Sequence, residues 1–401
     1  MKTASFAAAA CAVALAALSA PTIADGDHDG ALPRNATFTT LAITPLAIEG
    51  LTADDDGNLY TTGRAAAPAP CPVWRVTGAV LTVVGNLPNL AASPCNPSGI
   101  AFDAHGDAYI ADAAQGGTVW RLTPNPTTPP TAVAFATGVP GTNGLAFDQD
   151  GNLWTGDGTT GNGRVWKIGS AGGACEPAFT GCEEAFRIQP MANAAGVGRS
   201  NGTLQPGNPT PNPQPLVANG LAFTPNGDLF IADTARGAIW KIEFHRHGEL
   251  KSRTGCDTTF TANTLCLENI FVAHPSLEGT DGIALDRAGN IWNSANERNA
   301  IVVVTKSRDV VEVFRNPVVA GLRNSADPDP TAEANRHILE LPTSPVLFGK
   351  RFCTANSDGN RRDNSPNTGG EVSQGGAIGR RGKISCMDQA LEIPGARLPV
   401  R

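Results

Sequence analysis

One phrase keeps returning along this chain, and its spacing leaves few architectures open. It reads TNGLAFDQDGNLWTGD from Thr142, PSGIAFDAHGDAYIAD from Pro97, ANGLAFTPNGDLFIAD from Ala218 and TDGIALDRAGNIWNSA from Thr280. An earlier version, IEGLTADDDGNLYTTG, begins at Ile48. The repeated glycines fall at 50, 99, 144, 220 and 282, so the intervals are 49, 45, 76 and 62. A period in the forties with strand-type patterning is the mark of a propeller blade. Within each unit, GLAF alternates as a half-buried strand does, DQDGN is a turn, and LWTGD returns as a second strand. A third strand follows as PVWRV, TVWRL, RVWKI, AIWKI or AIVVV, and its tryptophan register predicts packing between neighbouring blades.

A sixth, degenerate unit is TSPVLFGKRFCTAN from Thr343, with Ser344 at the position before the glycine and GKISCMD from Gly382 as third strand. TFTTLAI from Thr37 is then free to supply the outer strand of that unit and close the ring, which removes exposed sheet edges. The expectation is an all-β, six-bladed β-propeller of four-stranded antiparallel blades. The composition agrees: 45 Gly, 31 Pro and only 17% charged residues describe a turn-rich β chain. A formal charge of −7 gives no reason to expect nucleic acid or anionic membrane as a partner.

Residues 1–24 read as a signal peptide. Lys2 is the positive region, AAAACAVALAAL the apolar core, and TIA before Asp25 the cleavage site. The run is too short to span a membrane. Residues 25–401 are then one propeller domain, expected to be secreted (extracellular or periplasmic), monomeric and free of membrane after processing. Eight cysteines remain after Cys11, an even number that favours disulfides in an exported chain. Proximity pairs Cys71 with Cys95, Cys175 with Cys182, Cys256 with Cys266 and Cys353 with Cys386, although sequence alone leaves the connectivity open. Polar, Pro-rich or Asn-rich insertions at 190–217, 318–342 and 355–381 fall in loops expected on the same face as the starts of the inner strands, where 190–217 and 355–381 are expected to form a lid.

The residue before each repeated glycine varies: Glu49, Ser98, Asn143, Asn219, Asp281. In a propeller the inner strands line a central channel, so these residues converge at its mouth. One such side chain would be read as a local strand cap. Several oxygen donors in one register point instead to a hard cation, with two carboxylates balancing its charge. This ordered set resembles the senescence-marker-protein/gluconolactonase/luciferin-regenerating-enzyme family, over roughly residues 37–390. The resemblance implies Glu49, Asn219 and Asp281 as ligands of a divalent metal ion, calcium foremost, with magnesium, manganese or zinc as alternatives. It implies Asn143 as a contact to substrate or to metal-bound water. Sugar-acid lactonases of the family place an arginine shortly before that Asn; GVPGTNG has none, which counts against an aldonolactone substrate.

Other motifs carry less. GRSNG at 198–202 matches a nucleophile pattern but lies in a Gly- and Asn-rich insertion rather than between strand and helix. NAT at Asn35 and NGT at Asn201 are glycosylation sequons with meaning only in a eukaryotic secretory host. DDDGN at 54–58 lacks the acidic residue of a calcium loop and is a hairpin turn. His245 and His247 are expected to be exposed, and His105 to lie on the face away from the channel site. The leading expectation is a metal-dependent hydrolase of a lactone or similar cyclic ester, a small-molecule substrate, with Asp281 and Asn143 as catalytic residues. A non-enzymatic calcium- or ligand-binding propeller and a metal-free, strictosidine-synthase-like enzyme stand as the alternatives.

Overall fold

The computed structural model describes residues 31–33, 36–89, 94–114, 116–190, 217–246, 248–315, 338–357 and 381–396. The predicted signal peptide and all but the ends of the three insertions lie outside the described residues, as do Asn35, His247 and GRSNG.

Six antiparallel sheets form the molecule, and in five of them strand order follows chain order. The inner strands are Ile48–Ala53, Pro97–Phe102, Thr142–Phe147, Leu221–Phe223, Thr280–Leu285 and Pro342–Phe348. The repeated phrase thus supplies the inner strand, the turn and the second strand of each blade. The sixth sheet is completed from the opposite end of the chain: Phe38–Thr44 pairs with Gly382–Met387, so the N-terminal strand closes the ring. Blade two gains a short fifth strand, Gly173–Ala174, parallel to Val133–Thr137.

Core clusters straddle pairs of blades, as the tryptophan register implied. Trp120 packs with Val73 and Leu87 of blade one, and Trp166 with Tyr109 and Val119 of blade two. Trp240 packs with Trp154 and Val165 of blade three, and Trp74 with Val346 and Ile384 of blade six. Large buried rings of this kind dominate the apolar stabilisation between otherwise separate sheets. The DxxGN turns are held by their aspartates. Asp148 accepts from the Asn152 backbone and amide and from Trp154 Nε1, at 2.8–2.9 Å. Asp54 and Asp286 repeat the arrangement with Tyr60 and Trp292. DDDGN is therefore a hairpin turn, and His105 lies in the equivalent turn of blade two.

All four expected disulfides are present: Cys71–Cys95, Cys175–Cys182, Cys256–Cys266 and Cys353–Cys386. The last joins directly paired residues of the second and third strands of blade six. Among the described residues no helix is long and apolar enough to cross a membrane.

The channel is polar at one mouth and apolar below it. Leu51, Ile100, Leu145, Leu221 and Ile283, each following a repeated glycine, line a cavity of about 120 Å³. The C-terminal segment crosses the turn face beneath it. There Pro394 accepts from Arg287 N, Gly395 N donates to Gly349 O, and Ala396 N donates to Leu285 O. Ala396 forms part of the cavity wall, so the segment lies against the far end of the channel.

Candidate functional site

The six residues at the channel mouth are brought together by the glycines that follow them. A Cβ on Gly50 would overlap the Ser98 carbonyl oxygen, and one on Gly99 or Gly144 the carbonyl oxygen of Asn143 or Asn219. Cβ atoms on Gly220 and Gly282 would stand 2.5 Å from the carbonyl oxygens of Asp281 and Thr343. The glycine is thus kept for space: the backbone of each blade rests on the axial residue of the next. In blade six the register differs from the sequence expectation by one residue. Pro342 pairs with Asn356 as Thr280 pairs with Ala295, which makes Thr343, not Ser344, the axial residue. Thr343 Oγ1 then donates to Glu49 O at 2.7 Å and closes the circle.

Glu49, Asn143, Asn219 and Asp281 therefore do converge, from blades one, three, four and five. Asn219, Asn143 and Asp281 are only 1%, 5% and 5% exposed, so water screens their interactions little. Ser98 shares the register but turns its hydroxyl to backbone oxygens of Ala111, Thr142 and Asn143, at 3.4–3.5 Å.

A second register, the residue after each second strand, faces the first. It consists of Arg64, Ala113, Gly158, Thr234, Asn296 and Ser357. Asn296 Nδ2 donates to Asp281 Oδ2 at 2.9 Å, and Asn219 Nδ2 donates to Thr234 Oγ1 at 3.1 Å. Gly158 leaves room for Asn143, whose Nδ2 would lie 2.6 Å from a Cβ there. Arg64 forms an ion pair with Glu49, and its Nε donates to Pro97 O at 3.2 Å. Sequence reasoning missed this layer because its members share no chemistry. The available signal was a lone arginine in TTGRAAAP, directly after a strand whose end faces the axis.

Burial pushes the Asp281 carboxyl up to about 7, against the opposing pull of the Asn296 amide, the Arg64 charge and the Asn219 amide. Burial also lowers Arg64 to about 10, opposed by the carboxylates of Asp281 and Asp112. Arg64 stays protonated at neutral pH, whereas Asp281 exchanges its proton there.

The donor set fits a hard divalent cation in kind: two carboxylates, Glu49 and Asp281, with the amide oxygens of Asn219 and Asn143. Among the described residues no three His, Cys, Asp or Glu side chains cluster as a metal site. An ion here would therefore depend on the amides as well as the acidic pair.

Fold and site together define a six-bladed propeller with a polar, acid- and amide-lined channel mouth. The model of the SMP-30/Gluconolactonase/LRE-like region matches residues 196–322, so the family resemblance read from the sequence is borne out over blades four and five. No curated protein matches the chain. Among solved structures, the chain is similar to the PQQ-bound aldose sugar dehydrogenase of Streptomyces coelicolor. That match has 14% identity and a TM-score of 0.53, covering 89% of this chain and 100% of that one. It is also similar to a luciferin-regenerating enzyme (13% identity, TM-score 0.52, 90% and 98% covered). A third is the calcium-binding protein regucalcin of Agrobacterium tumefaciens (14% identity, TM-score 0.51, 92% and 99% covered). At these identities the likeness is one of fold.

Proposed function

We propose that this propeller is an exported, metal-dependent hydrolase of a lactone or similar cyclic ester, acting at the polar mouth of its channel. The observation that carries the reading is the convergence of Glu49, Asn143, Asn219 and Asp281 from four blades, all in one register. Glu49, Asn219 and Asp281 are the residues that would hold the cation, calcium by the hardness of its donors. When bound, such an ion supplies positive charge that polarises an ester carbonyl.

The remaining chemistry belongs to the protein. Asp281, whose carboxyl is raised by burial in the metal-free site, is the residue assigned to take a proton from an attacking water. Asn296, donating to Asp281 Oδ2, fixes the orientation of that carboxylate. Asn143, with Gly158 giving it room, orients the substrate. Four disulfides agree with an oxidising compartment, which supports export.

Calorimetric calcium titration of wild type, Asp281→Asn and Ser98→Ala, followed by a panel of lactones and esters, tests the proposal. Asp281→Asn should weaken calcium binding and abolish hydrolysis while the protein stays folded. Ser98→Ala, which loses only weak bonds to backbone, should leave both unchanged. Equal calcium affinity in all three proteins would count against the metal site and the hydrolase reading together. Calcium binding without turnover of any ester would favour a binding protein.

A further inference from the structure

We propose that Arg64 is a built-in counter-cation of the channel mouth, one that a divalent cation must displace from Glu49 before it can bind. The inference rests on the metal-binding reading of the axial residues and adds what sets the affinity. Arg64 is 6% exposed, ion-paired to Glu49 and tied by Nε to the Pro97 carbonyl of blade two. Its charge also acts on Asp281 across the axis. The guanidinium removes one unit of the negative charge that a divalent ion would otherwise meet at the mouth.

The same carboxylate cannot serve both cations well. With Arg64 in place, Glu49 is already neutralised by a planar donor suited to a carboxylate. An added divalent ion would meet a like charge at short range in a poorly screened site. Binding therefore requires the guanidinium to leave Glu49 and lose a buried ion pair, and that loss subtracts from the affinity. Among the axial-facing residues of the second register, Arg64 is the only one with a charge, so the competition resides in one side chain.

Calcium alone is titrated into the disulfide-intact protein as wild type, Arg64→Met and Arg64→Lys. Arg64→Met should bind calcium about tenfold more tightly or better, and Arg64→Lys, which keeps the charge, should stay near wild type. Equal affinity in wild type and Arg64→Met overturns the inference and leaves the metal-dependent function standing. Binding to neither protein overturns both, whereas binding to Arg64→Met alone upholds the inference and ends the metal-dependent reading of the wild type. Should Arg64→Met fail to fold, the wild type itself is treated with phenylglyoxal, which modifies accessible arginine, and Arg64 is followed by peptide mapping. Faster modification of Arg64 with saturating calcium supports displacement; an unchanged or slower rate overturns it.

Discussion

A methyl group on Gly220 would stand 2.5 Å from the Asp281 carbonyl oxygen and 2.7 Å from the Gly282 Cα, both backbone atoms that cannot step aside singly. Gly220→Ala should therefore lower stability by about 1–3 kcal/mol, the usual range for forced overpacking, and loosen the channel mouth. Gly227 makes a useful contrast, since its surroundings are open but its φ is +90°. Gly227→Ala should cost about 1–2 kcal/mol through the backbone alone and leave calcium binding untouched; urea midpoints and calorimetry separate the two. Asp281 adds a pH dependence. A carboxyl whose folded pKa of about 7 lies above its unfolded value holds its proton more tightly in the folded state. Its contribution is intact below about pH 4 and is lost as pH rises through 7. In calcium-free buffer, the stability of Asp281→Asn minus that of wild type should thus grow between these limits; a flat difference would show that Asp281 is ionised throughout. The axial residues could be read from sequence because a constant glycine marks their register. Arg64 could not, because Ala113, Gly158 and Thr234 at the same place share nothing with it, and Thr343 was misplaced by one because Ser344 replaces the marking glycine.

Among the elements, the turns on the face away from the site show how far a repeat constrains its own geometry. Asp148 accepts three bonds from Asn152 and Trp154, so Asp148→Ala strands partly buried donors and should cost about 1–3 kcal/mol. Thr224 occupies the same place in blade four and accepts from Asp228 N alone among its side-chain bonds, so Thr224→Ala should cost only about 0.5–1.5 kcal/mol. Chemical denaturation of the two variants gives the comparison, and equal losses would mean that the turn backbone, not the aspartate, holds the hairpin. These hairpins were legible because alternation, the turn glycine and the aromatic two positions after the Asn or Asp all recur. The roles of Asp112 and Asp233 at the opposite ends of the second strands were not legible. Each accepts from the third-strand tryptophan of its own blade, Trp120 or Trp240, and from a backbone amide of the following loop, and Asp112 also accepts from Asn96 N just before the inner strand, contacts that no local pattern announces.

At the scale of the whole ring, closure depends on a strand that shares no blade with its neighbours in sequence. Phe38–Thr44 covers the outer edge of Gly382–Met387, and Phe38 packs on Phe314 and Phe352. Removing residues up to 44 should lower the unfolding temperature and leave an exposed edge that promotes association, visible by calorimetry and light scattering; an unchanged transition would mean that the other contacts between blades suffice. That closure was legible because the sixth unit came one strand short and the chain began with a spare one. The insertions at 190–217, 318–342 and 355–381 were legible only as interruptions of the period, since no repeat dictates their conformation. Closure from the two ends also fixes an order in time. Thr37 and Gln389, hydrogen-bonded in the finished ring, are 352 positions apart. At about 5–20 residues per second on a ribosome, the first strand waits about 20 to 70 seconds for its partner to be made. Until then every growing chain is an unlatched arc with two open edges, and it becomes a ring only when Gly382–Met387 has been made.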